Sequence, residues 1–600
     1  MTNYYLQKLQ EISKDRQQLA AYDATDSTVV IAGPGSGKTT VLTLKVMRLL
    51  EECIAAPRGL ACLTYSTEAA REFKDRLHRL GLHKRSNTFL GTVHSFCLSE
   101  VLTPFSRLYP QYQIPNPVKI ISESDKRKLF DTINNRLPST TNMTDMDKER
   151  SRNISGISKV YIESYDLALQ AAVAFEEELR KSGYIDFVSM VKFSVMLIQN
   201  EAYVRKALEA KFPWIVIDEY QDLGRPLHEI VLSLLDGTNI KVFAVGDADQ
   251  SIYDFQGAAP DYLTELSERT GIRCIRLLNN YRSAQEIVDA SESVLNTSRG
   301  YRASGKLKNY PANIEFIECE FGMDEQYEAA VENILKYHAT GIPYHEIVVL
   351  VGNNNTLKEL KAKCVEQGIP VYLARQEFRN TEFVQWLEDC ACWVEDNTSF
   401  PFDDIYATWE HFLSSNGTTI FSDGRILAKR ELLRIISESK KFASSLLNWL
   451  AYMASQLKIV DIFSESERFP DEMSNFEILK RVVTEAETTL SIEFLTKLGN
   501  PKDQVVLSTR HSAKGLEFDV VIMLGMEKDS FPRFNSTQRE IEEAHRLCFV
   551  AVSRARKACV LVRSKHLQNR FGRWFNKEPS PFWVTLQEHK KRQRISVVDQ

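Results

Sequence analysis

The stretch Ser27–Thr40, STVVIAGPGSGKTT, constrains this chain more than any other. Val29, Val30 and Ile31 form a short apolar run of the kind that is buried as a strand. Gly33, Gly35 and Gly37 then make a loop, and from Thr39 the apolar residues Val41, Leu42, Leu44 and Val46 recur with helical spacing. Strand, glycine loop and helix together wrap backbone N–H groups around a phosphate chain at a helix N-terminus. The pattern G-x-x-x-x-G-K-[ST] is met with Ala32 in the first glycine's place, followed by Gly33, Pro34, Gly35, Ser36, Gly37, Lys38 and Thr39. In such a loop the lysine reaches the outer phosphates and the hydroxyl of Thr39 holds Mg²⁺. The segment predicts a nucleoside triphosphate site.

Six hundred residues exceed what one hydrophobic core serves, so several domains are expected. Apolar and charged contents of 43% and 26% are those of an ordinary globular protein. No window approaches the ~18 uninterrupted apolar residues of a membrane helix. The N-terminus is polar and lacks an apolar signal core, so a cytoplasmic location, with the nucleic acid, is expected and no membrane partner. A net charge of −5 gives no global sign of a polyanion partner, so any nucleic-acid surface must be local. One basic stretch runs from Arg554 to Arg594, and a solvated tail is the other reading of its end. The ten cysteines lack metal-ligand spacing and read as reduced core residues, with no zinc or iron–sulfur cluster.

Along the chain, a helix carrying Leu6, Leu9, Ile12 and Leu19 precedes the glycine loop. Strands are expected at Leu60–Leu63, near Thr88–Val93, at Trp214–Ile217 and at Lys241–Val245. Residues 99–205 read as mainly helical, with patterns at Leu167–Leu179 and Val188–Leu197. A second α/β block begins near Leu277, with strands at Ile347–Val351, Ile369–Leu373, Gln504–Leu507 and Val520–Leu524. Residues 381–499 turn helical again. Strands that alternate with helices imply parallel sheets, whose ligands gather at the carboxyl ends of the strands.

Two further strand ends carry chemistry. Ile215-Val216-Ile217 runs into Asp218-Glu219-Tyr220-Gln221-Asp222, adjacent carboxylates after a buried strand. Beside a phosphate-binding loop, Asp218 would hold Mg²⁺ through its water shell and Glu219 would orient and deprotonate the attacking water. The next strand ends at Gly246-Asp247-Ala248-Asp249-Gln250, where an amide can sense a γ-phosphate. Tyr253 and Phe255, just beyond, are placed to stack on bases of a single strand, core packing being the alternative.

Taken together these segments resemble the superfamily 1 DNA helicases of the UvrD/Rep/PcrA type, over nearly the whole length. AGPGSGKTT, LTYSTEAAREF, GTVHSF, VIDEYQD, VGDADQSIYDFQGA, LLNNYRS, STRHSAKGLEFDVV and EEAHRLCFVAVSRA follow one another as the family's motifs do. The resemblance implies two RecA-like P-loop domains, each with a mainly helical insertion. These are 1A at 1–98 and 206–276, 1B at 99–205, 2A at 277–380 and 500–600, and 2B at 381–499. It implies ATP and Mg²⁺ as cofactors and DNA, single-stranded or 3′-tailed, as partner. Gln17 matches the adenine-reading glutamine, Gln18 being the second register, and Tyr281 would stack on the adenine. Glu517 would contact the ribose or its water network. Arg282 and Arg554 would reach the γ-phosphate from the second α/β block when the cleft closes. Gln250 and His511 would couple nucleotide state to DNA grip, and Thr64, Tyr65, His94, Tyr253, Phe255 and Phe571 would face DNA.

Some positions depart from the family: Thr40 stands where an arginine often packs on adenine, and Gln256 where arginine is usual. Leu223-Gly224 follow the acidic motif, and 381–499 is compact. The implied activity is a single-stranded-DNA-stimulated ATPase and 3′–5′ helicase of repair, recombination or replication. The alternative is a DNA-sensing ATPase that regulates a partner nuclease, as in anti-phage defence, with little unwinding alone.

Overall fold

The computed structural model describes the chain except residues 1, 83–87, 156–164, 254–258, 296, 397–400, 419–420, 422–423, 465, 487, 500, 570 and 599–600, and the side chains of 152–155, 165 and 594–598. Its fold is mixed α/β, built on two parallel sheets.

The first sheet has six strands: β1 (Thr28–Ala32), β2 (Ala61–Thr64), β3 (Phe89–Thr92), β4 (Trp214–Ile217), β5 (Lys241–Gly246) and β6 (Arg273–Leu277), in the order β3-β2-β4-β5-β1-β6. Every pairing is parallel. Side chains alternate between its faces. Val29, Ile215, Ile217, Val242 and Ala244 enter one core, while Val30, Ala32, Val216, Phe243 and Val245 enter the other. A sheet buried on both faces reads as continuous apolar strands, which is why these runs stood out in the sequence. The N-terminal segment is not one helix but two, Asn3–Ile12 and Arg16–Asp23. The Asp15 carboxylate starts the second by accepting from the backbone N–H of Gln17 at 2.8 Å and of Gln18 at 3.2 Å.

After a two-residue pair, β7 (Asn279–Asn280) with β8 (Arg302–Ala303), comes the second sheet. It comprises β9 (Asn313–Phe321), β10 (Ile347–Val351), β11 (Val371–Leu373), β12 (Val505–Thr509), β13 (Phe518–Met523), β14 (Ala555–Gln568) and β15 (Trp574–Asn576). The order is β11-β12-β10-β13-β14, with β9 parallel to β14 and β15 folded back antiparallel on its end. Val348, Leu350 and Val521 face one core; Val349, Val351 and Ile522 face the other.

Residues 378–495 enclose an apolar core of their own, around Phe383, Trp386 and Trp449. This helical unit docks on the first sheet's side of the molecule. Arg71 pairs with Glu388 and, at 2.6 Å, with Asp389. The backbone N–H of Ile120 donates to the Glu467 carbonyl at 2.9 Å, and that of Glu123 to Asp471 at 3.0 Å.

Candidate nucleotide and DNA site

The loop after β1 is held open by glycine chemistry. Gly35 and Gly37 have φ of +64° and +81°, a region L residues avoid, and Gly37 caps the helix Lys38–Arg48. Lys38 Nζ is buried without a hydrogen bond and lies 3.4 Å from Glu219 Oε1. A buried ammonium with donors to spare, at the N-terminus of a helix, fits a triphosphate.

At the end of β4, Asp218 and Glu219 share one pocket of charge. Burial and the neighbouring Glu219 push Asp218 up to about 7. For Glu219, burial is outweighed by Lys38 and Lys514, which pull it down to about 2. Glu219 has φ of +49°, a left-handed conformation costing a non-glycine residue roughly 1 kcal/mol or more. Gln221 fixes it, donating to its Oε2 while its own Oε1 accepts the Asp247 backbone N–H at 3.0 Å. Burial, above all, raises Asp247 to about 6. Among the described residues no three His, Cys, Asp or Glu are grouped to hold a metal alone. A Mg²⁺ ion here would be held by Asp218, the Thr39 hydroxyl and the phosphates themselves, the habit of an ion that keeps its water.

The second sheet's side supplies cations to this pocket. Arg282 lies directly over the loop, for a Cβ placed on Gly35 would come within 2.6 Å of the Arg282 Cβ. Its Nε donates to Glu517 at 2.6 Å. Arg554 is 2% exposed and donates from Nη2 to Gln250 Oε1 at 3.4 Å, while Gln250 donates to Asp247 at 2.6 Å. Burial, then the nearby Arg282, lowers the Arg554 guanidinium to about 9. Two guanidiniums and a lysine crowded in a buried place are relieved by an anion. The cleft is already closed in this structure: the Tyr281 backbone N–H donates to the Gly35 carbonyl at 2.8 Å.

Several expectations are corrected. Gln17 is exposed, whereas Gln18 is buried and donates to the Ser36 carbonyl at 2.7 Å. The cap at Asp15 sets the helix phase and turns Gln18 to the loop. Thr64 is 2% exposed and its hydroxyl donates to the Ser66 carbonyl at 3.0 Å, so its side chain is not offered to DNA. Glu517 is clamped by Arg282 and by Arg556 at 3.3 Å, and so acts on the guanidinium rather than standing free for a ribose. The first part of the basic stretch, 554–565, is not a free cationic stripe. Arg556, Lys557, Arg563 and Lys565 are each paired with acids, and Arg554 is in the cleft. Phe255 and Gln256 lie outside the described residues.

The remaining expected residues fall as follows. Ala32 is buried at the end of β1 and Pro34 and Ser36 are buried in the loop, where Ser36 Oγ donates to the Gly33 carbonyl at 2.7 Å. Thr40 lies in the first turn of the helix and lines a cleft of about 220 Å³ with Glu72, Arg76 and Arg79. Tyr281 is 39% exposed with its hydroxyl donating to Asp15 at 2.7 Å. Tyr65 stacks on Tyr253 with centroids 5.6 Å apart, and the Lys514 ammonium lies 5.2 Å from the Tyr253 ring. His94 meets the ring edge of Phe187 at 5.5 Å. His511 is half-buried; burial, then Arg510 and Arg533, depress its pKa. Phe571 is 74% exposed at a hairpin turn.

Lys514 was not singled out by sequence. It spans the cleft, donating to both Asp222 oxygens at 2.7 Å and to the Gln250 carbonyl at 2.6 Å. Phe187, 49% exposed beside His94, was missed too; its signal was an aromatic opening a helix directly after its capping Asp186.

No described helix is long and apolar enough to cross a membrane. Residues 13–270 match the model of the UvrD/REP helicase N-terminal domain, and 275–387 and 427–566 that of the UvrD-like helicase C-terminal domain. The chain is 25% identical to the ATP-dependent DNA helicase PcrA of Staphylococcus aureus strain Mu50, over 95% of its own length and 86% of the relative's. It is 24% identical to PcrA of Staphylococcus epidermidis strain ATCC 12228, over 97% and 88%. Two matched domain models, spanning most of the chain, place it in the UvrD/Rep helicase family.

Proposed function

We propose that this ATP-hydrolysing DNA helicase moves 3′ to 5′ along single-stranded DNA and separates duplexes met on the way, in repair, recombination or replication. The observation that carries the reading is the meeting of Arg282, Arg554 and Lys514 with Lys38, Glu219 and Gln250 across one cleft. Lys38 and the loop amides bind the phosphates. Glu219, ionised and held by Gln221, accepts a proton from the attacking water. Asp218, in its ionised form, and the Thr39 hydroxyl would hold Mg²⁺, which would supply neutralisation of phosphate charge. Arg554 and Arg282 stabilise charge that develops on the γ-phosphoryl oxygens, which is where catalysis of this transfer resides. Loss of that phosphate removes the anion that Lys38, Arg282 and Arg554 share and leaves these cations without it, which favours opening. Tyr65, Tyr253 and Lys514 sit at the same cleft, so opening changes the grip on bases stacked there.

Strand displacement with ATP on 3′-tailed, 5′-tailed and blunt duplexes tests the direction, and a preference for 5′ tails overturns it. Lys38→Ala and Glu219→Gln should each lower DNA-stimulated hydrolysis by about 10³-fold. Hydrolysis that survived both substitutions would remove the site assignment.

A further inference from the structure

β14 and β15 form a hairpin, and Phe571 lies between the two strands. Register pairs Gln568 with Trp574 and His566 with Asn576, and β9 pairs Phe321 with His566 on the other edge. With a side-chain period of two, Phe321, His566, Gln568 and Trp574 share one face. The rings touch. Phe321 stacks on His566 at 4.8 Å and 22°, and meets Trp574 edge-on at 5.3 Å and 77°. Yet they stay half in water, Phe321 at 46% and Trp574 at 48% exposure. Of the chain's seven tryptophans, the other six are buried or half-buried. Fold stability alone favours covering such a ring, so an exposed cluster marks a surface that is used.

Charge indicates the user. The segment Phe571-Gly572-Arg573-Trp574-Phe575-Asn576-Lys577 interleaves cations with rings. Arg573 is exposed and makes no ion pair among the described residues. Lys565 and Lys577 stand in ion pairs with Glu320 at 2.9 Å and Asp529 at 3.4 Å. Alternating aromatic faces and cations suit a strand of bases and phosphates, whatever its sequence. We propose that Phe321, His566 and Trp574 extend the platform begun by Phe571 into a stacking surface for further bases of single-stranded DNA. The proposal rests on the helicase reading above and names a part of its track.

The test is equilibrium binding of oligothymidylates, about 8 and about 20 nucleotides long, to the full chain without nucleotide. Trp574→Ala should weaken binding of the longer strand about tenfold and of the shorter strand less, because only the longer one reaches the hairpin. Trp574→Phe, which keeps a ring, should stay within about threefold. Arg573→Gln should reduce the salt slope by about one. The Trp574 emission, taken as wild type minus Trp574→Phe, should be shielded from iodide by the longer strand. Undiminished affinity in a folded Trp574→Ala protein overturns the platform, as does a Trp574→Phe loss equal to that of the alanine variant. If Trp574→Ala does not fold, Phe321→Ala and the iodide shielding decide in its place. A wild-type protein that bound neither strand would instead overturn the helicase reading itself.

Discussion

The two sheets share a parallel architecture and divide the charge unequally. At the ends of β4 and β5 the first sheet gathers Asp218, Glu219, Asp222 and Asp247, with Lys38 as their nearby cation. The second sheet's side faces them with Arg282, Lys514 and Arg554, and one of those, Arg554, is lowered to about 9 by burial and by Arg282. Each side is an electrostatically costly arrangement: Asp218, Asp222 and Asp247 raised toward neutrality on one, guanidiniums crowded on the other. Neither half is a complete active site. The contrast teaches that closure is written into the charges, and that nucleotide with its metal ion satisfies both halves at once.

The most damaging way to break this comparison is to remove the cation that reaches farthest. Arg554→Ala should lower the rate of ATP hydrolysis by about 10³-fold while nucleotide still binds, and Arg554→Lys should restore little, because a point charge does not reproduce the fork. Single-turnover hydrolysis and nucleotide affinity, measured on the same preparation, check it.

On the first sheet's side, a smaller effect separates the neighbouring glutamines. Gln18→Ala removes the bond to the Ser36 carbonyl and should weaken ATP binding or raise KM about tenfold, an effect the size of one buried hydrogen bond. Gln17→Ala, at an exposed position, should change either by less than about twofold. Equal effects of the two would undo the register correction.

The smallest signal is a fraction of a proton. Asp218 is raised to about 7, so near pH 6.5 the nucleotide-free protein holds a proton that an unfolded carboxyl would have lost. Its stabilising contribution is therefore full below about pH 4 and fades as pH rises through 7. Binding Mg²⁺–nucleotide requires the carboxylate, so binding near pH 6.5 should release protons, and the release should vanish by about pH 9. Calorimetry in two buffers of different ionisation enthalpy reads this, and Asp218→Asn should abolish most of it.

Much of this was legible because apolar runs and strand ends are local. Trp214–Ile217 is a strand over the residues expected, and Lys241–Gly246 extends by one the run read from sequence. The alternation of Val29 and Val30 between two cores follows from the pleat. β9 escaped notice because its nine residues carry apolar side chains only in part, and its partner β14 lies more than two hundred residues away. The phase of the helix Arg16–Asp23 escaped too, since two adjacent glutamines differ by only a turn of about 100° and Asp15 decides which faces the loop. The first part of the basic stretch, 554–565, misled because a row of cations in sequence says nothing of the acids opposite: Glu318, Glu320, Glu346 and Asp519 come from other strands and loops.

The sequence by itself determined the phosphate loop, the acidic strand end and the order of the motifs, because each is a short run whose backbone geometry follows from its own residues. Only the tertiary structure decided which cation meets which oxygen. Arg282, Lys514 and Arg554 are long, flexible side chains hundreds of residues from Lys38, and their partners are chosen by how the two sheets pack across one cleft.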